Sequence, residues 1–134
     1  MKADTMIHPE TGAILRRRRR IESVEYRGLT KRVRVSGWFP DDGGDGVLVG
    51  ADSTPLDKAL AALKAKHRAD VGKLARKVRS AAGLSQKDAS VLLTGSPNSF
   101  YKYEKGAAEP SWPTFLLLKL LDRRPGLIDA IKAA

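Results

Sequence analysis

The chain contains no cysteine in its 134 residues. That excludes disulfides and any cysteine-ligated zinc site, and nothing points to an oxidising compartment. Aromatic residues make up only 6% of the chain, with Trp38 and Trp112 its two tryptophans. No apolar run approaches the ~18 residues of a membrane helix, so no membrane partner is expected. No signal peptide is expected either, because the arginine run at 16–20 comes late and no apolar segment follows it. The expectation is a cytoplasmic protein with access to the nucleoid. The only histidines are His8 and His67, and both read as surface residues. No nucleophile–base arrangement, phosphate loop or paired-carboxylate site stands out, so an enzyme is not expected.

What the chain does have is positive charge, a formal +10 from 25 Lys+Arg and 15 Asp+Glu. The excess is uneven. Residues 53–134 carry 15 basic against 7 acidic side chains, and residues 1–52 carry 10 against 8. A chain this basic needs an anionic partner, and the C-terminal part is where phosphate neutralisation would occur.

Residues 84–106 say which kind of partner. Ser85 is placed to cap a first helix, with Asp88 three residues on in a capping-box-like pattern. Ala89, Leu92 and Leu93 follow at helical spacing, and Gly95 allows the chain to leave the helix. Ser96 is placed to cap a second helix, with Pro97 at its first position. Phe100 and Tyr103 face the core. Asn98, Ser99 and Lys102 face outward, and Gly106 ends the helix. This is the pattern of a helix-turn-helix whose second helix enters the DNA major groove. Asn98 and Lys102 are the expected base contacts, since Asn bonds adenine bidentately and Lys donates to guanine or phosphate. Ser85, Gln86, Lys87 and Ser99 are the expected phosphate contacts. A polar outer face is also what an ordinary solvated helix shows, and helix pairs of this kind occur in bundles that bind no DNA.

The rest of the chain divides in kind. Residues 1–52 are turn-rich and β-leaning. Two stretches, 14–26 and 29–39, alternate in polarity around Arg27-Gly28, which predicts a hairpin. Residues 40–46 predict a loop and 46–50 a short strand. Thr54-Pro55-Leu56-Asp57 starts a connector helix over 53–67. Val71, Leu74, Ala75 and Val78 predict an amphipathic helix with Lys73, Arg76, Lys77 and Arg79 outside, and Gly72 is a weak point in the run. A very apolar helix begins at Trp112, and Pro125 opens a last short helix with Leu127, Ile128 and Ile131 buried. The expected fold is α+β: a small N-terminal β-hairpin unit, a connector helix, and a C-terminal bundle of four or five helices over 68–134.

The five arginines at 16–20 lie in a strand and project from both of its faces, so neither face is expected to be core. One reading is a charge-protected edge strand. The other is a contact surface for an acidic protein or nucleic acid.

Residues 68–134 resemble the C-terminal Xre/Cro-type helix-turn-helix domain of MqsA-type antitoxins. The resemblance is carried by Gln86-Lys87-Asp88-Ala89-Ser90, Asn98-Ser99-Phe100, Tyr103-Glu104-Lys105-Gly106, Glu109-Pro110 and the leucine-rich 117–122. It implies a homodimer that represses its own operon at a palindromic operator, and an N-terminal domain that neutralises a cognate toxin, an mRNA-cleaving ribonuclease. An Asn and an Arg of the recognition helix read bases in that family. Here they match Asn98 and Lys102, the latter keeping the charge without the fork geometry. Tyr26-Arg27-Gly28 and Gly37-Trp38-Phe39 resemble N-terminal elements of the same family. On that basis Arg16, Arg18, Arg20, Tyr26 and Trp38 are expected to meet the partner. The family's two Cys-x-x-Cys zinc knuckles fall on Met6 and Pro9, then Pro40 and Gly43, so no metal and no cofactor is expected. Two other readings stay open. One is a stand-alone regulator whose N-terminal unit binds a ligand or another protein. The other is a non-specific RNA-binding or nucleoid-associated protein.

Overall fold

A computed structural model describes residues 4–134. The chain forms an α+β arrangement, a three-stranded antiparallel sheet followed by five α-helices. It divides into two compact units, Met1–Lys64 and Ala65–Ala134.

The first unit is built on the hairpin of β2 (Ile14–Tyr26) and β3 (Leu29–Pro40). Their register runs from Tyr26↔Leu29 to Leu15↔Pro40. The two-residue turn has positive φ at both Arg27 (48°) and Gly28 (86°). That handedness matches the twist of the strands. A short strand not foreseen in the sequence, β1 (Thr5–Ile7), pairs with the start of β2. Residues 46–50 do not form a strand. Val47 makes a single antiparallel bridge to Trp38, and a turn of 3-10 helix, Gly50–Ser53, follows.

The faces of this sheet differ, which corrects the expectation that neither could be core. Register places Arg18, Arg20, Val24 and Tyr26 on one face with Val35, Gly37 and Phe39. That face is half-buried to buried, and Phe39, Leu48 and Leu56 line a small recess beneath it. The opposite face is buried at Leu15 and Pro40, near the start of β2, and further along carries Arg19, Ile21, Arg32, Arg34 and Ser36, all exposed. The arginine stems make the covered face possible. Arg20 lays its guanidinium 4.1 Å over the Phe39 ring and donates to the Gly44 carbonyl at 2.7 Å. Such a side chain covers apolar surface while its charged head stays wet.

Helix α1 (Thr54–Ala81) runs without interruption, so the connector and the amphipathic stretch are one helix. Its first turns belong to the first unit, where Ala59 and Leu63 are buried. In the second unit α1 is joined by α2 (Gln86–Thr94), α3 (Ser99–Lys105), α4 (Trp112–Arg123) and α5 (Leu127–Ala133). Val71, Ala75, Val78, Ala89, Phe100, Leu118 and Leu121 form the centre of its core. Gly72, expected as a weak point, is instead a contact. A Cβ there would lie 2.9 Å from the Tyr103 carbonyl oxygen, so only glycine lets α1 pass so close to the end of α3. The two histidines are not surface residues. His67 is 2% exposed and packs edge-on against Phe115 at 4.8 Å. His8 is 6% exposed, and its Nδ1 accepts from the Glu10 and Thr11 amides, closing the loop between β1 and β2.

Candidate nucleic-acid and partner interfaces

The helix pair is held by short polar ties that leave one face open. The Ser85 hydroxyl accepts from the Asp88 amide at 3.0 Å, which starts α2. Gly95, in the left-handed region at φ 74°, ends it. Ser90 is wholly buried. Its hydroxyl donates to the Gln86 carbonyl at 2.6 Å and accepts from the Phe100 amide at 2.8 Å. One side chain therefore stitches α2 to the first turn of α3. A buried hydroxyl is tolerated because both of its bonds are satisfied.

Helix α3 begins at Ser99, not at Pro97 as the Ser96 cap implied. Asn98 occupies the N-cap position and makes no side-chain cap bond, so its amide stays exposed and uncommitted. Ser99 turns inward instead. Its hydroxyl lies 2.7 Å from that of Thr94 and bonds the Tyr103 phenol. Burial pushes the Tyr103 phenol above its ordinary value, with the Ser99 bond acting against that.

Glu104 holds the far end of α3. Its side chain is only 2% exposed, and Arg79 grips it with bonds of 3.1 and 2.8 Å while Arg76 adds one at 3.3 Å. Burial tends to raise the Glu104 carboxyl, but the Arg79, Arg76 and Gln86 bonds outweigh it and hold it below the usual carboxylate range. Arg79, expected on the outside of its helix, is therefore part of the framework.

The resulting outer face of α3 is a stripe. Asn98, Tyr101, Lys102 and Lys105 fall at helical spacing, and all are exposed. Phe100 and Tyr103 lie on the opposite side, 0% and 8% exposed. Of the residues expected to hold phosphates, Ser85 and Lys87 are exposed. Gln86 bonds Glu104, and Ser99 bonds Thr94. Tyr101 was not singled out in the sequence. Its spacing to Asn98 was visible, but an aromatic between Phe100 and Tyr103, both buried, is not told from them by residue type.

In the first unit four of the five arginines of the run are paired with carboxylates. Arg16 and Arg18 both pair with Asp41. Arg20 pairs with Glu22 at 2.7 Å. Arg17 makes a bidentate bond to Asp52, at 2.7 and 3.1 Å, and stands 5.4 Å over the Trp38 ring. The Arg17 bonds, with the Val49 amide, hold the Asp52 carboxyl below its ordinary value. Tyr26 is half-buried, with the Lys64 ammonium 5.6 Å from its ring. The expected partner residues are thus engaged within the unit. Arg19, Arg32 and Arg34 stand exposed beside Ile21, with no ion pair among the described residues.

The same unit contains the positions that match the family's zinc knuckles. Register places Met6 and Pro40 on either side of Leu15, which is 0% exposed. Together with Pro9 and Gly43 these positions supply no imidazole, thiolate or carboxylate, and the described residues form no metal-binding cluster. The residues present do not fit the zinc of the resembling family. An apolar layer centred on Leu15 stands in its place, and arginine–carboxylate bonds pin residues 41 and 52.

A helix pair whose second helix turns an amide and two ammonium groups outward defines the chain as a helix-turn-helix protein carrying a separate β unit. Comparison with known proteins gives the particular family. Residues 8–132 match the MqsA antitoxin family, the antitoxin component of a bacterial toxin–antitoxin system, and the chain belongs to it. It is also 45% identical over 56 residues to Antitoxin MqsA of Escherichia coli (strain K12). That similarity covers 42% of this chain and 43% of the relative, less than half the length of either.

Proposed function

We propose that the chain acts as a homodimer that represses its own operon by reading a palindromic operator through α3, and that its first unit neutralises a cognate mRNA-cleaving toxin. The observation that carries the DNA-reading half is the outward stripe of α3, set in the half of the chain where the positive charge is concentrated. Asn98 and Lys102 contact base edges, and Lys87 and Ser85 hold phosphates. Half-sites lie about one DNA turn apart, or a multiple of it. Gln86 and Ser99 complete the phosphate-contact set, and the Ser99 hydroxyl, 2.7 Å from that of Thr94, also ties the start of α3 to the end of α2.

A dimer surface is available on α4 and α5. Leu116 and Leu120 are 45% and 46% exposed, and Leu117, Leu127 and Ile131 line an apolar cleft between the two helices. A second copy that covered this face would set two recognition helices in a fixed relation, as a palindrome demands. Leu120→Glu is expected to shift the sedimenting species from dimer to monomer and to weaken operator binding.

The toxin surface belongs to the hairpin. Arg16, Arg18, Arg20, Tyr26 and Trp38 shape it, and Arg19, Arg32 and Arg34 are the cations left to meet a partner. Co-expression of the full chain with the product of the adjacent gene tests this half. Growth restored by the full chain and lost with Arg19, Arg32 and Arg34 all changed to Glu supports it. Retained neutralisation by residues 53–134 alone overturns the division of labour.

A further inference from the structure

We infer that Tyr101 is a specificity-determining residue, its ring reading a thymine C5-methyl group in the major groove beside the base that Asn98 contacts. The inference rests on the operator reading above and adds a contact class that neither an amide nor an ammonium supplies. Tyr101 is 53% exposed in the middle of α3, three residues from Asn98 and next to Lys102. It contributes little to the core, which Phe100 and Tyr103 fill from the other side of the same helix. Its ring meets the Lys105 ammonium, 5.4 Å from the ring centroid.

That contact sets the Lys105 cation beside the ring. The stripe therefore presents, in order, an amide, an apolar ring and two cations. In the major groove, thymine differs from every other base by its methyl group, and apolar side chains recognise it by contact. A lysine at position 102 lacks the bidentate fork of arginine, so discrimination by hydrogen bonds alone is reduced there. The ring supplies the missing discrimination through shape and desolvation.

The test is selection of duplexes from a randomised pool by the full-length chain, by Asn98→Ala, by Tyr101→Ala and by Tyr101→Phe. The preferred duplex is then remade with deoxyuridine at each thymine of one half-site. The wild-type chain should select a thymine in each half-site. At that one position, loss of the methyl should weaken binding about fourfold, the value of one buried methylene-sized group. Tyr101→Phe should keep that sensitivity. Tyr101→Ala should lose it, together with the preference for thymine, while its far-ultraviolet spectrum and melting midpoint stay at wild-type values. A consensus with no thymine in the half-site overturns the inference. So does a Tyr101→Ala chain that retains the methyl sensitivity, or one that binds all duplexes equally less well. If the wild-type chain selects no sequence, the operator reading itself falls. If Asn98→Ala relaxes the selection and Tyr101→Ala does not, the inference about Tyr101 falls alone.

Discussion

The two units of this chain hold themselves together in different ways. The second is close-packed around Phe100, Leu118 and Val71, with Ser90 and Glu104 buried and bonded inside it. The first has a thin core of Leu15, Val35, Phe39, Ala59 and Leu63. It ties its loops with arginine–carboxylate pairs that are largely open to solvent. The difference suits the proposed roles. A groove-reading helix must be held rigid, since its contacts demand sub-ångström placement. A partner-binding sheet keeps one face open and basic. Each unit has its own tryptophan, Trp38 in the first and Trp112 in the second, so single Trp→Phe chains report on each unit's unfolding separately.

The largest expected effect is in the second unit. Phe100→Ala should cost about 3–5 kcal/mol, as large-to-small changes at wholly buried aromatics do, and should abolish DNA binding with it. Leu15→Ala should cost about 2–5 kcal/mol, read by Trp38 fluorescence in urea. A loss well under 1 kcal/mol there would show that the apolar layer does not hold the first unit together. Glu104→Gln should cost roughly 1–3 kcal/mol, because it leaves Arg79 without its charged partner. The pH dependence follows from the same residue. Its carboxyl is held low in the folded state, so its stabilisation is present at neutral pH. It fades as the pH falls below about 4 and through the lowered folded value. Trp112 should report this acid loss, and Glu104→Gln should flatten it.

The smallest effects sharpen the contrast from the other side. Raising salt to about 1 M should lower the first unit's urea midpoint slightly and leave the contribution of the Arg79–Glu104 pair, read as the midpoint difference between the wild-type chain and Glu104→Gln, nearly unchanged, since exposed pairs are screened far more than buried ones. A chelator should leave both midpoints unmoved. A fall in the Trp38 transition on chelation would contradict the account of how the first unit replaces zinc.

Much of this was legible in the sequence where the signal was local. Ser85, Gly95 and Gly106 punctuate the helix pair through dihedral and capping preferences that operate within a few residues. The hairpin showed in its period of two and its Arg27-Gly28 turn. What was not legible depends on partners far along the chain. Arg79 reads as a solvated lysine-like cation until Glu104, 25 residues on, is folded against it. Gly72 reads as a helix weakness until the end of α3 is seen to need the space. The arginine run reads as uniform, although Asp41, Glu22 and Asp52 pair four of its members and leave Arg19 exposed without an ion pair among the described residues. The α3 stripe was read only in part because aromatic identity does not tell a ring on the open face, Tyr101, from those that fill the core, Phe100 and Tyr103.

The central claim is that α3 reads sequence through Asn98. The direct measurement is a titration of the full-length chain, at about physiological salt, against the DNA upstream of its own gene and against a scrambled duplex of equal length. The wild-type chain should prefer the upstream DNA by roughly a thousandfold or more. Asn98→Ala should lose about 1–3 kcal/mol of that preference while binding the scrambled duplex as before. A wild-type preference below about tenfold, or an Asn98→Ala chain that weakens on both duplexes alike, would contradict the account.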